Sequence, residues 1–225
     1  MKIKIWSDYA CPFCYIGEKR LQRALAEVGD KNIVIEFKSF ELDPTASKEV
    51  TSETAERFAL KYGMSKEAAT ERIEQISLMG RREGIDFRYL TTRYTNTFDA
   101  LRLTKFAQEK GHDEIITKLF DAYFTKNLEL SNHDVLKKIA VDCGLDGKEV
   151  EKVLNSERYA AEVRADEMEA ARLGIHGVPY FVIGGKYGLS GAQPPEVLKQ
   201  AINDALTDEK FSGMTCGADG CHFDG

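Results

Sequence analysis

Alternating apolar and polar residues predict strands near both ends of the chain. KIKIWS at 2–7 alternates, and IVIEFKSFEL at 33–42 is rich in β-branched and aromatic residues. Between these two segments, YIGEKRLQRALAEVG places apolar residues along one side of a helix. Later in the chain, YFVI and KYGLS flank Gly184-Gly185, which is a hairpin signal. Strand patterns are therefore confined to the first 42 residues and to 177–191.

The middle of the chain, from about 52 to 174, contains no proline and no convincing strand pattern. Its clearest helix is 113–125, which has a wide apolar stripe. Further helices are predicted at 53–63, 66–84, 97–110, 132–143, 147–155 and 157–173. Ser131 and Asp146 are predicted as helix caps. Pro194-Pro195 then begins a last helix to about 206, because proline is accepted in a first helical turn.

This order of elements predicts an α/β protein with a large all-helical insertion. The two strand-containing pieces are each too small to fold alone, so we expect them to share one sheet. The predicted domains are a discontinuous α/β domain from 1–50 and 175–207, an inserted helical domain at 51–174, and a flexible cysteine-containing tail at 208–225.

Composition excludes several classes of partner. The 225 residues include 31 basic and 37 acidic side chains, for a net charge of -6. This balance favours neither nucleic acid nor an anionic membrane surface as a partner. The sequence has no apolar run long enough for a membrane span or a signal peptide, so we expect a cytoplasmic protein. Disulfides in the cytoplasm are usually transient and catalytic.

Cys11 and Cys14 are the main candidates for chemistry, because they lie where the first strand ends and the first helix begins. A thiolate is the form that attacks a disulfide, and a helix N-terminus stabilises an anion. We therefore predict that Cys11 is an exposed nucleophile and that Cys14, one turn on, is a more buried resolving thiol. Pro12 suits the first helical turn, and Phe13 is predicted to shape contact with the substrate.

The cysteine pair has two other interpretations. It is half of a zinc site if Cys216, Cys221 and the adjacent His222 supply further ligands, or it is an inert buried pair. The tail has its own alternatives: Cys216 and Cys221 are a second redox pair, a metal site, or a segment without a role. Cys143 follows apolar residues at helical spacing and is predicted to be an inert core thiol.

Three stretches resemble the DsbA-like oxidoreductase family, and more closely its FrnE-type branch. They are SDYACPFCYIG at 7–17, NTFDALRL at 96–103 and GIHGVPYFVIGGKYGLSGAQ at 174–193. The resemblance extends from residue 1 to about 207. It implies a thioredoxin fold with an inserted helical domain, and a cis Val178–Pro179 bond in a loop that lies against the cysteine pair.

The resemblance also implies candidates for a groove between the two lobes. Asn96 and His176 fall in the shared stretches, although Asn96 also suits a helix cap and His176 a surface loop. One position departs from thioredoxin. The buried acid that thioredoxins carry six residues before the first cysteine is Ile5 here, so another group or water must take the proton of the resolving thiol.

The function that the resemblance implies is thiol–disulfide exchange with protein or small-molecule disulfides. No metal or organic cofactor is expected, and glutathione or a dithiol partner would reset the pair. A related branch contains glutathione-dependent isomerases of 2-hydroxychromene-2-carboxylate type, which leaves a second prediction: an isomerase or transferase acting on a small aromatic substrate. A zinc-binding, non-catalytic module is the third.

Overall fold

The computed structural model describes residues 1–30, 32–212, 214–217 and 220–223, with side chains described as far as Glu209. One mixed sheet and the helices packed on it form the first part of the architecture. Its elements are β1 (Lys2–Ser7), α1 (Pro12–Val28), β2 (Val34–Ser39), β3 (Tyr180–Ile183), β4 (Tyr187–Ser190) and α9 (Pro195–Ser212). The strand order is β2-β1-β3-β4.

Strand β1 occupies the centre of this sheet and joins the two ends of the chain. It runs parallel to β2, because α1 carries the chain back across the sheet between them. It runs antiparallel to β3, and Ile5 has Phe37 as its partner on one side and Phe181 on the other. The prediction that both strand-containing pieces share one sheet is confirmed.

Successive residues of β1 face opposite sides of the sheet, and each side is covered by a different part of the chain. Ile3 and Ile5 pack with residues of α1 and α9. On the other side, the Trp6 indole donates a hydrogen bond to the carbonyl oxygen of Asp166 at 3.0 Å, and the Lys4 ammonium lies 2.7 Å from the Glu169 carboxylate. The last helix of the insertion therefore closes one face of the sheet.

The insertion between β2 and β3 is helical, as predicted. Its elements are α2 (Thr54–Tyr62), α3 (Lys66–Arg82), a short 3-10 helix (Tyr89–Thr91), α4 (Phe98–Glu109), α5 (Ile115–Phe124), α6 (His133–Asp142), α7 (Gly147–Leu154) and α8 (Ala160–Arg172). Aromatic rings join this insertion to the sheet. Tyr15 of α1 stacks on Phe120 of α5 with centroids 5.1 Å apart, and Tyr9 meets the same ring edge-on at 4.9 Å.

Three local predictions differ from the structure. Asn132 caps α6 through its side chain, one residue later than the predicted Ser131, whose hydroxyl donates to the Lys48 carbonyl instead. Helix α9 continues to Ser212 rather than ending near 206. Two short strands, β5 (Met214–Gly217) and β6 (Gly220–Phe223), follow where an irregular tail was predicted.

Asp146 caps α7 as predicted. The division into domains at residues 50, 174 and 207 stays a prediction. In the described part of the chain, no helix has the length and apolar character that crossing a membrane requires.

Candidate redox site

The loop between β1 and the first cysteine is held by Asp8. One oxygen of its carboxylate accepts hydrogen bonds from the Ala10 amide at 3.1 Å and the Thr97 hydroxyl at 2.9 Å, and the other accepts from the Leu42 amide at 2.7 Å. These donors belong to three separate segments of the chain. Burial raises the pKa of Asp8 even though these hydrogen bonds favour the carboxylate. Asp8 therefore fixes the cysteine loop against the linker after β2 and the start of α4.

Cys11 occupies the N-cap position of α1. Its amide donates to the Asp8 carbonyl at 3.1 Å, its carbonyl accepts from the Cys14 amide at 3.1 Å, and Pro12 is the first residue of the helix. The Cys11 side chain does not cap the helix, so its sulfur is not committed to the amides of the first turn. Those amides and the helix dipole favour an anion at this end of the helix.

Cys11 and Cys14 are both free thiols, and they lie near enough for Cys11 to affect the ionisation of Cys14. Cys11 also donates to the Val178 carbonyl, with the sulfur 3.4 Å from the oxygen. The Cys11 residue is 4% exposed and Cys14 is 1% exposed. Cys11 is thus less exposed than predicted, because the loop before β3 closes over it.

Burial raises the pKa of the Cys14 thiol well above its ordinary value, and the neighbouring Cys11 raises it further. The Ser7 hydroxyl and the Asp8 amide act in the opposite direction, because both stabilise a Cys14 thiolate. Cys14 is therefore a protonated thiol in the reduced protein, and it needs a proton acceptor before it can attack a disulfide.

The loop over Cys11 contains the cis Val178–Pro179 bond that the resemblance implies. Gly17 of α1 permits the close approach of this loop. A Cβ atom at Gly17 would lie 3.1 Å from Pro179 Cγ and 3.3 Å from Phe181 Cζ, which is closer than ordinary packing distances. Pro179 is buried and Val178 is half-buried.

A cavity of about 500 Å³, which we call the front cavity, opens beside Cys11. Its aromatic and apolar walls include Phe13, Phe58, Tyr62, Tyr89, Tyr94 and Ile76, and Val178 borders it. Three cationic residues, Arg57, Lys61 and Arg72, also line it. No aspartate or glutamate is among the described residues that form its walls.

A second cavity, of about 610 Å³, lies on the other side of α1 and is called the rear cavity. Its walls include Ser7, Cys14 and many aliphatic side chains from β1, α1 and β2. Its charged residues are Glu18, Asp113 and Glu114, and the described lining contains no lysine or arginine. The sequence did not reveal this second cavity, because it forms between α1, β2 and α5.

Several predicted site residues lie elsewhere. His176 is exposed and is not among the residues that line the front cavity. Asn96 is buried, where its carbonyl oxygen accepts from the Phe98 amide at 2.9 Å and its amide nitrogen lies 3.4 Å from a Glu41 oxygen. Cys143 is buried outside both cavities, and burial raises its pKa.

The tail cysteines lie near the end of the described chain. The backbones of Cys216 and Cys221 face each other as partners in the β5–β6 pair, and their side chains lie outside the described residues. The side chain of His222 also lies outside the described residues. Among the described residues, no group of three or more His, Cys, Asp or Glu side chains is arranged to hold a metal ion.

The sequence model of the DSBA-like thioredoxin domain matches residues 2–203. The chain belongs to the family of DSBA-like thioredoxin domains. This confirms the resemblance drawn from the three sequence stretches, together with the thioredoxin fold and its helical insertion. Members of this family are thiol–disulfide oxidoreductases that typically use no prosthetic cofactor.

Individual relatives agree with this assignment. A probable DsbA oxidoreductase from Streptomyces coelicolor is 38% identical, with a TM-score of 0.88 and full coverage of both chains. The uncharacterized protein YwbO from Bacillus subtilis is 28% identical over 208 residues, which is 90% of this DSBA-like chain and 96% of YwbO. A 2-hydroxychromene-2-carboxylate isomerase shares the fold, with a TM-score of 0.70 and 14% identity over 93% of this chain and 98% of its own.

Proposed function

We propose that the chain catalyses thiol–disulfide exchange through Cys11 and Cys14. The observation that carries this proposal is the proximity of the two free thiols at the start of α1, where Cys11 lines the front cavity and Cys14 lines the rear cavity. In the reducing direction, the two protein thiols and a substrate disulfide give a Cys11–Cys14 disulfide and two substrate thiols. Two electrons pass to the substrate, and the reverse reaction oxidises a dithiol substrate.

The first step uses Cys11. Its thiolate attacks one sulfur of the substrate disulfide, forms a mixed disulfide and releases the other substrate sulfur as a thiolate. Cys11 must first give up the hydrogen bond to the Val178 carbonyl, because a thiolate cannot donate it. In the second step Cys14 attacks the Cys11 sulfur and releases the second substrate thiolate.

The second step requires that Cys14 lose its proton, and Glu18 is our proposed acceptor. Glu18 lies four residues after Cys14 on α1, so their Cβ atoms are roughly 5–6 Å apart. Both side chains line the rear cavity. One Glu18 oxygen accepts from the Thr117 hydroxyl at 2.7 Å and from Gln22, while the other has no hydrogen-bond partner among the described residues.

The surroundings of Glu18 suit a proton acceptor. Burial raises its pKa, although the Thr117 hydrogen bond and the Lys19 charge act against this. The Lys19 ammonium is 3.9 Å from the unpartnered oxygen, and Asp113 and Glu114 also line the rear cavity. A carboxyl group with a raised pKa is better matched to a thiol than an ordinary exposed one. Glu18 thereby supplies the proton acceptor that is missing at Ile5, the position where thioredoxins carry a buried acid.

A specific variant tests the exchange mechanism. Cys14→Ser should still attack a disulfide through Cys11 but should stop at the mixed disulfide, which mass spectrometry detects as one substrate half attached to Cys11. Cys11→Ser is the matched control and should form no adduct at position 14. Turnover that survives Cys14→Ser would contradict the proposal and favour the glutathione-dependent isomerase, whose chemistry needs no second cysteine.

We expect a cytoplasmic protein whose substrates are protein or small-molecule disulfides and whose Cys11–Cys14 pair is reset by glutathione or a dithiol partner.

The facing backbones of Cys216 and Cys221 support a second redox pair in the tail. Replacing both with serine should lower turnover without changing the Cys11–Cys14 reaction itself. Unchanged turnover together with lost bound zinc would favour a metal site instead.

A further inference from the structure

The front cavity carries a charge that is opposite to the charge of the whole protein. The chain has a net charge of -6, yet the three charged residues that line this cavity, Arg57, Lys61 and Arg72, are all cationic. Within the described part of the chain, none of them forms an ion pair. Arg72 donates a hydrogen bond to the Gln75 side chain, which carries no charge. Unpaired cations around a cavity attract an anionic ligand.

Arg57 is the most constrained of these cations. Its guanidinium lies over the Tyr94 ring, 3.8 Å from the centroid, which fixes the plane of the group. Two of its nitrogens, Nε and Nη2, are buried and have no hydrogen-bond partner among the described residues. A buried donor without a partner costs free energy, and a planar guanidinium offers paired N–H groups that match a carboxylate.

The acidic groups nearest to this cluster lie outside the front cavity. Lys61 acts electrostatically on Asp8 and Asp43, but neither residue lines the front cavity. Asp8 accepts from its three donors; one Asp43 oxygen accepts from the Thr45 amide at 3.0 Å and the Thr45 hydroxyl at 2.7 Å, and the other accepts from the Tyr94 hydroxyl at 3.4 Å. Among the described residues, no carboxylate lines the front cavity with these cations, so an anionic ligand is well suited to pair with them.

We infer that the front cavity is a carboxylate-recognition subsite, with Arg57 and Lys61 selecting small thiols and disulfides that bear a carboxylate near the reacting sulfur. This inference rests on the proposed exchange function and names its substrate class. A volume of about 500 Å³ fits a small molecule, and the aromatic walls accommodate its carbon skeleton while Cys11 attacks its sulfur. The step is the exchange already described: one substrate disulfide and two protein thiols give two substrate thiols and a protein disulfide.

The test compares two disulfides that differ only in charge. Reduced protein is oxidised by 3,3′-dithiodipropionic acid or by its neutral bis-amide, and each second-order rate constant is divided by the one measured with dithiothreitol. This division removes the intrinsic reactivity of each disulfide. We expect the normalised acid-to-amide ratio to be about tenfold or more, because hydrogen bonds to charged groups are among the strong ones.

Variants assign the effect to particular side chains. Arg57→Gln should lower the acid rate far more than the amide rate and so bring the normalised ratio close to one, and Lys61→Gln should lower the ratio severalfold. Lys61 is exposed, so its variant should fold even if loss of the Arg57–Tyr94 contact disturbs folding. Arg88→Gln is the matched control, since Arg88 is an exposed arginine that pairs with Asp86 and does not line the front cavity.

A normalised ratio near one in the wild type, or an equal fall in both rates in Arg57→Gln, would overturn the subsite while leaving thiol–disulfide exchange intact. A preference found with acidic peptide disulfides but not with the small acid would overturn the small-molecule assignment in favour of a protein substrate. Failure of both disulfides to oxidise Cys11 and Cys14 would instead contradict the proposed function.

Discussion

The front and rear cavities lie on opposite sides of the first turn of α1, yet their chemistry differs completely. The front cavity has Cys11, mainly aromatic walls and cationic side chains, whereas the rear cavity has Cys14, mainly aliphatic walls with Phe37 and Phe120, and acidic side chains. Two cysteines separated by one helical turn thus meet opposite electrostatic surroundings. A CxxC motif alone therefore does not assign the roles of its two sulfurs. The elements that pack on either side of the helix assign them.

The largest effect should separate the two thiols by reactivity. When reduced protein reacts with iodoacetamide near neutral pH, we expect Cys11 to be modified much faster than Cys14, because burial raises the pKa of Cys14 and lowers its thiolate fraction. Cys143 is an internal control, since it is another buried thiol whose pKa burial raises. Peptide mapping follows each cysteine separately. Equal rates for Cys11 and Cys14 would remove the contrast between the two cavities.

The second effect concerns Glu18 in the rear cavity. Glu18→Gln should slow the resolution of a Cys11 mixed disulfide by about 100-fold or more near neutral pH, because general base catalysis contributes roughly 10²–10⁴-fold. The first attack by Cys11 should keep its rate. The rate of resolution across pH is measured, and the variant should lose the wild-type rise that follows Glu18 ionisation. Glu27→Gln, at an exposed acid on the same helix, is the matched control.

Stability distinguishes this role of Glu18 from a merely structural one. The pKa of Glu18 is higher in the folded than in the unfolded chain, so the fold favours its protonated form. Its ionisation therefore costs stability as pH rises through the folded-state pKa. Glu18→Gln removes that cost, so the variant should have a higher Tm than wild type at pH 8 and a similar Tm at pH 4. A variant that resolves normally, or one that is less stable at pH 8, would contradict the proposed role.

The smallest effect should come from the contact that closes the front of the site. Gly17→Ala places a methyl group 3.1 Å from Pro179 Cγ and 3.3 Å from Phe181 Cζ, so we expect a loss of about 1–3 kcal/mol in the free energy of unfolding. Urea unfolding measures it. Gly147→Ala is the matched control, because its added methyl meets only Lys137 and Val141 side chains at an ordinary 3.4 Å. A Gly17→Ala protein as stable as Gly147→Ala would show that the Pro179 loop shifts to accommodate the methyl group without loss of stability.

Much of the fold could be predicted because local patterns determine its elements. The alternation of KIKIWS gave β1 at Lys2–Ser7, and apolar periodicity placed α5 near Ile115–Phe124. The cap of α6 was misplaced by one residue, since Ser131 and Asn132 are both good caps and only tertiary contacts distinguish them. Ser131 instead binds the Lys48 carbonyl.

The site was predicted less completely, for a physical reason. Cys11, Cys14 and the loop at Pro179 stand in recognisable motifs. Arg57 and Glu18 do not, because each acquires its setting from elements distant in the chain: Tyr94 lies over Arg57, and Thr117 of α5 binds Glu18. Helical periodicity indicates which face of a helix is apolar, but it does not show which charged residue will meet a cavity.

The central claim is that Cys11 and Cys14 form one two-electron redox couple. A glutathione redox titration of the purified protein, quenched by alkylation and followed cysteine by cysteine with mass spectrometry, tests it most directly. The account predicts that Cys11 and Cys14 become oxidised together with a single midpoint and a two-electron slope, while Cys143 stays reduced. Oxidation that stops at a single glutathione on Cys11, or that begins only after a metal is removed, would contradict it.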